Sequence, residues 1–214
     1  MGESVLTADR ILEVAVVVLR RFGPDKATVI DGARALGVTH GSVYRYFPSK
    51  AALRDAVVER WLEAMMPPLE AVAAQEGSAP RRLRQWLDLL IATKRKRAAD
   101  DPELFAAYYA LSSQARDVVQ THVDALADQA ARIIADGVNR GEFVVPSPAM
   151  AGRAVLYATS RFHHPANAAE WSDPDIDDTL REVWRLLAKG LGASKTESES
   201  NRRPRKTRRP SRQT

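Results

Sequence analysis

The chain has 214 residues, 45% of them hydrophobic, which is enough for one large domain or a small domain joined to a larger one. It contains no Cys, which excludes disulfides, thiolate metal sites and Cys nucleophiles. The net charge of +5 is local, since Ser194 to Thr214 holds eight Lys or Arg against Glu197 and Glu199, leaving the remaining residues at −1.

The opening MGESVLTADR lacks the charged-then-apolar pattern of a signal peptide, and no apolar run is long enough to span a bilayer, so a soluble, cytoplasmic protein is expected. Met1 to Leu6 carries no pattern. Thr7 caps a first helix with Ile11, Ala15, Val18, Leu19 and Phe22 at helical spacing, ending at Gly23-Pro24, with Phe22 read as core.

Thr28 caps a second helix running to about Leu36, Gly37 supplies a left-handed C-cap, and Thr39 caps a third. Two short helices joined by a Gly-containing turn make a helix-turn-helix. Val38 and Val43 form a hydrophobic staple across the start of the third helix. Val43 and Phe47 point inward, which leaves Gly41, Ser42 and Arg45 opposite them and Tyr44 and Tyr46 on the flanks. Small residues let a backbone approach base edges, and the hydroxyls and Arg45 reach phosphate oxygens; His40 lies at the helix start, where recognition helices touch bases.

Ser49 caps a long helix with Leu53, Val57, Trp61, Leu62 and Met65 inward, which stops at Pro67-Pro68 or resumes to about Ala74. Gln75 to Ala79 is a break. A helix from Arg81 to Ala98 buries Leu83, Trp86, Leu87, Leu90 and Ile91, and ends in Lys94-Arg95-Lys96-Arg97, read as a solvated end whose cations complement the helix dipole. Pro102 opens a short helix, Glu103 to Ser112, and Gln114 to Arg140 forms a longer one closed by Gly141. Pro146 to Phe162 and Asp173 to Leu191 are the last two; the first carries Ala149, Ala151, Gly152, Ala154 and Ala158, small enough for another helix to approach closely. The tail from Ser194 is nearly devoid of apolar residues and is expected to be disordered.

Gly37-Val38-Thr39, Gly41, Tyr44-Arg45-Tyr46-Phe47, Lys50 and Leu53 together resemble the signature of the TetR-type transcriptional regulators, over roughly residues 7 to 55. The resemblance implies an all-α homodimer: residues 1–55 a helix-turn-helix DNA-binding domain with the start of the linking helix, 56–193 a ligand-binding and dimerisation domain, and 194–214 a basic tail. It places Thr28, Tyr44, Tyr46 and Lys50 on phosphates and Thr39, His40, Gly41 and Ser42 on bases of a double-stranded DNA operator, and puts the dimer interface on the last two helices, near Val183, Trp184 and Leu187. Gly32 departs from the Ile or Leu usual in the family, with Ile30 expected to take over part of the packing.

The fold class so implied carries an effector cavity, and Trp86, Phe105, Tyr108, Tyr109, His122 and Phe162 are its expected liners, although each alone reads better as core. His163-His164 lacks a third ligand at metal spacing, and Asp100, Asp101, Glu103 and the acidic set Asp173, Asp175, Asp177 and Asp178 read as caps and dipole partners. No nucleotide-binding, hydrolase or metalloprotease motif is present, so neither a cofactor nor catalysis is expected. The leading expectation is a repressor released from its operator by a small apolar or amphipathic ligand. A helical adaptor for protein partners and a ligand-modifying enzyme remain as alternatives.

Overall fold

The structure is a computed structural model that describes residues 6–26 and 29–192, with the backbone alone at 25 and 26. Thr28 and the basic tail therefore lie outside the described residues. Among these the chain is all helix and turn: α1 (Ala8–Lys26), α2 (Val29–Leu36), α3 (His40–Tyr44), α4 (Lys50–Glu63), α5 (Met66–Ala73), α6 (Ala79–Asp100), α7 (Pro102–Ser112), α8 (Arg116–Asn139), α9 (Pro148–Ala158), α10 (Ser160–His163), a 3-10 turn at Pro165–Glu170, and α11 (Ile176–Gly190).

The expected stop of the first helix is a sharp kink at Gly23, whose φ of 73° is left-handed. The prolines act as N-terminal residues of helices, Pro67-Pro68 opening α5 and Pro80 opening α6, because a missing N–H costs nothing in a first turn. The helix read as Pro146 to Phe162 is interrupted at Thr159, whose hydroxyl donates to the Val155 carbonyl at 2.8 Å.

Two main cores form. Ile11, Leu12, Val29, Ala33, Val43, Phe47 and Val57 pack the N-terminal helices. Residues of α5, α6, α8, α9 and α11 pack the larger one around Trp86, Leu87, Leu90, Ile133 and Phe162. Two expectations fail here. Phe22 is 43% exposed under the Arg21 guanidinium, and Ile30 is 57% exposed, because the face of α2 turned inward is that of Val29 and Ala33.

The two units are joined by more than α4. Tyr108 of α7 belongs to the N-terminal core, Arg20 pairs with Asp101 at 2.6 Å, and the Arg97 guanidinium donates to the Trp61 carbonyl at 2.7 Å.

The small residues of α9 also serve within the chain. A Cβ on Gly152 would stand 2.7 Å from the Ala127 carbonyl oxygen, so α9 lies directly on α8, and only its other face, with Met150, Ala154 and Tyr157, is exposed. On α11, Val183 and Trp184 pack partly against their own core, and the large apolar side chain facing outward is Leu186.

A candidate nucleic-acid interface and a charged interior

The turn between α2 and α3 closes as its residues require. Gly37 has φ 68°, its N–H donates to the Arg34 carbonyl at 3.1 Å, and Val38 N–H donates to the Ala33 carbonyl at 3.0 Å; the paired bonds satisfy carbonyls that the end of α2 would otherwise leave open. Thr39 Oγ1 then accepts from Ser42 N at 3.3 Å and lies 3.0 Å from the Ser42 hydroxyl. Val38 and Val43 both join the N-terminal core, so the staple is present, and bonds from Tyr46 and Phe47 N–H to the Val43 carbonyl at 3.0 Å carry the five-residue α3 into one further turn.

Thr39, His40, Gly41, Tyr44, Arg45, Tyr46 and Lys50 are exposed and Ser42 is half-buried, while Val43 and Phe47 are buried beneath them. The His40 ring meets Tyr44 edge-on, centroids 6.2 Å apart, which restrains the phenol one turn on. Tyr46 differs from its flanking partner: its hydroxyl donates to the Leu6 carbonyl, so its single proton is engaged by the segment before α1. Ser49 Oγ accepts from Ala52 N at 3.0 Å and sets the start of α4, where Lys50 stands.

The six expected effector liners fall in different parts of the fold. Trp86 and Phe162 are buried in the larger core, and Trp86 Nε1 donates to Gln129 Oε1 at 2.9 Å. Tyr108 stacks on Trp61 at 4.6 Å and Phe105 stands between Trp61 and Trp171, forming an aromatic cluster where α4, α7 and the 3-10 turn meet. Burial there raises the Tyr108 phenol to about 12. Tyr109 is exposed, edge-on to His164. His122 is buried, its Nε2 without a hydrogen-bond partner, and burial together with the positive charge of Lys94 pushes it down to about 3.

A cavity of about 420 Å³ lies elsewhere, among α1, α2, α4 and the α7–α8 corner, walled by Ile11, Val18, Gly32, Val43, Leu53 and Leu111. None of the six lines it.

Of the acidic residues read as caps, Asp101 acts as one, its Oδ1 accepting from Leu104 N at 3.0 Å at the start of α7; Asp100 ends α6 and pairs with Lys96, Asp175 makes no side-chain cap bond before α11, and Asp177 pairs with Arg95. His163 and His164 diverge. His163 Nε2 lies 3.2 Å from both the Leu156 carbonyl and the Thr159 hydroxyl, and His164 Nδ1 accepts from Ala166 N. Among the described residues no three metal-binding side chains gather.

Residues 11–57 match the family described as bacterial regulatory proteins, tetR family, and residues 79–184 match the tetracyclin repressor-like C-terminal domain. The chain belongs to the TetR family. The curated relative "Nucleoid occlusion factor SlmA" from Haemophilus ducreyi is 32% identical over 88 residues, which is 41% of this chain and 44% of that protein, so the chain matches less than half of that relative's length. A TetR transcription regulator from Haloarcula marismortui superposes with a TM-score of 0.68 at 20% identity, over 86% of this chain and 97% of that one. The transcriptional regulator FadR from Bacillus subtilis, solved in complex with stearoyl-CoA, superposes at 0.60 and 18% identity over 86% of this chain and all of its own. At such identities the likeness is one of fold.

In this TetR-family chain one element read from the sequence is corrected. The run Lys94-Arg95-Lys96-Arg97 is not a solvated end: Lys94 is 8% exposed, Arg95 and Arg97 are half-buried, and Lys96 alone is fully exposed. A hydrophobic i, i+3, i+4 stripe through Leu83, Trp86, Leu87, Leu90 and Ile91 continues geometrically onto position 94, and following it one step further would have placed the ammonium inside.

Proposed function

We propose that this TetR-family protein is a homodimeric repressor that reads a roughly palindromic DNA operator through α3 and leaves it when a small organic effector occupies the C-terminal domain. The observation that carries the reading is the exposed face of α3, borne on buried Val43 and Phe47 inside a stretch that matches the family's DNA-binding region. Thr39, His40, Gly41 and Ser42 contact base edges, and Tyr44, Arg45 and Lys50 hold phosphates. Tyr46 takes part in phosphate contact only if its bond to Leu6 is exchanged.

The outer faces of α9 and α11, with Met150, Tyr157 and Leu186, pair with the same faces of a second copy, which sets the spacing of the two recognition helices. Arg97, bonded to the Trp61 carbonyl, ties the effector domain to α4 and thus to the DNA-binding helices. No helix among the described residues is long and apolar enough to cross a membrane.

Selection of binding sites from a random duplex pool, followed by mobility shift at physiological salt, tests the reading. Enrichment of an inverted repeat with half-sites about one helical turn apart is the expected outcome. Recovery of no sequence preference refutes it.

A further inference from the structure

Helices α6 and α8 run antiparallel in a register that their contacts define. A Cβ on Gly137 would stand 2.8 Å from that of Ala79, Arg82 pairs with Asp136, and Trp86 bonds Gln129. Advancing from Trp86 to Lys94 covers about 12 Å, and stepping back from Gln129 to His122 covers about 10 Å, so Lys94 and His122 stand at one level of the same interface.

The two levels are finished differently. At the first, every polar group closes: Trp86 donates to Gln129, Gln129 Nε2 donates to Glu70 at 3.0 Å, and Glu70 pairs with Arg132. At the second, no hydrogen bond or ion pair joins Lys94 to a described residue, and His122 Nε2 is shut off from solvent without a partner; each residue is 8% exposed. The charged and titratable groups recorded near them are Arg97 on α6 and His163 and His164 at the end of α10, none of them a carboxylate. The Arg97 guanidinium is already turned to the Trp61 carbonyl and lies over its ring. A closed-off imidazole nitrogen without a partner, beside a largely buried lysine that pairs with no described residue, is an arrangement that a native interior ordinarily completes.

We propose that Lys94 and His122 form the anion-binding end of the effector site, and that the effector is an organic acid whose carboxylate they hold. The proposal rests on the repressor reading given above and deepens it. One buried ammonium with unengaged donors matches one negative charge, which favours a monocarboxylate over a phosphate ester bearing two. Lys94 supplies a charge-assisted bond to one oxygen, and His122 Nε2–H donates to the other. Because Arg97 lies one turn beyond Lys94 and bonds the Trp61 carbonyl of α4, a carboxylate drawn in at Lys94 acts beside the link to the DNA-binding helices.

The test compares acids with their neutral isosteres on the full chain: decanoate against decanamide and 4-phenylbutyrate against 4-phenylbutyramide, titrated by tryptophan fluorescence at neutral pH. At least one acid is expected to bind about tenfold or more tightly than its amide, the difference a single charge-assisted bond makes. In Lys94→Met that preference is expected to vanish, in Lys94→Arg to survive in part, and in His122→Phe to weaken. Equal binding of acid and amide, binding of none of the four, or an unchanged preference in Lys94→Met overturns the proposal. Mobility shift without ligand is run on the same proteins. Intact DNA binding with no acid preference removes this inference alone, whereas absent DNA binding in the unsubstituted chain removes the repressor reading.

Discussion

Gly32 sits in the middle of α2, where a glycine weakens the helix, and a Cβ built there meets nothing within 4 Å. It also walls the cavity of about 420 Å³ inside the N-terminal unit. Gly32→Ala therefore removes backbone freedom from the unfolded chain without a clash, for about 1 kcal/mol of helix propensity. The added methyl covers some apolar surface; a fully buried one contributes about 0.8 kcal/mol, and this half-buried position contributes less. A total of about 1 to 1.5 kcal/mol raises the midpoint of thermal unfolding by about 2 to 6 °C for a chain of this size. Gly32→Leu should add about 1 kcal/mol more by filling part of the cavity. Urea denaturation followed by far-ultraviolet circular dichroism measures both, with operator affinity recorded alongside and expected to stay within about twofold. Lower stability in Gly32→Ala would refute the reasoning, since it would mean that α2 is not a regular helix at this position or that the space is filled.

Tyr44→Phe should weaken binding to all duplexes by a similar factor, and His40→Ala should change preference at particular base pairs while loosening the Tyr44 ring it abuts; fluorescence anisotropy over a panel of single-base operator variants separates the two, and the reverse pattern sinks the assignment. Gly152→Val must force α9 off the α8 backbone, at about 1 to 3 kcal/mol or more, and should weaken the dimer as well; denaturation together with light scattering reads both, and unchanged stability would contradict the close approach. Burial lowers the Lys94 ammonium to about 8 from its ordinary 10.5, so stability should rise with pH across that window as the folded protein sheds a proton that the unfolded chain retains. At about 1.4 kcal/mol per pH unit the whole rise is roughly 3 kcal/mol, and Lys94→Met should gain about that at neutral pH and lose the slope; a slope that survives the substitution points to another group. His122 and His163, both held near 3 by burial, should make stability fall as pH drops from about 6.5 towards 3, where the unfolded chain takes up protons that the folded interior refuses; a flat denaturation midpoint from pH 6.5 to 4.5 in a His122→Phe, His163→Phe double variant, against a falling one in the parent, is the expected contrast.

Much of the candidate DNA interface was legible because its signals are local. Gly37 in the left-handed region, Thr39 and Ser49 as caps, and Val38 with Val43 as a staple depend on residues within a few positions of one another, and all stand where the sequence placed them. The same holds for Pro102, which opens α7, whereas Pro67-Pro68, read first as a stop, and Pro80, read as part of a break, open helices of their own. What failed depended on which face of a helix meets which neighbour. Ile30 and Phe22 point outward because α2 and α1 are rotated by their contacts.

The chain's own chemistry thus determined that it is all-helical, where α3, α4 and α7 begin, and that α3 presents small and phenolic residues outward, since turns, caps and a 3.6-residue stripe are written over short spans. Only the tertiary structure decided the interior. Whether Lys94 ends in water or opposite His122 depends on the register of two helices separated by all of α7, and the cost of burying that charge is set by groups far away in sequence.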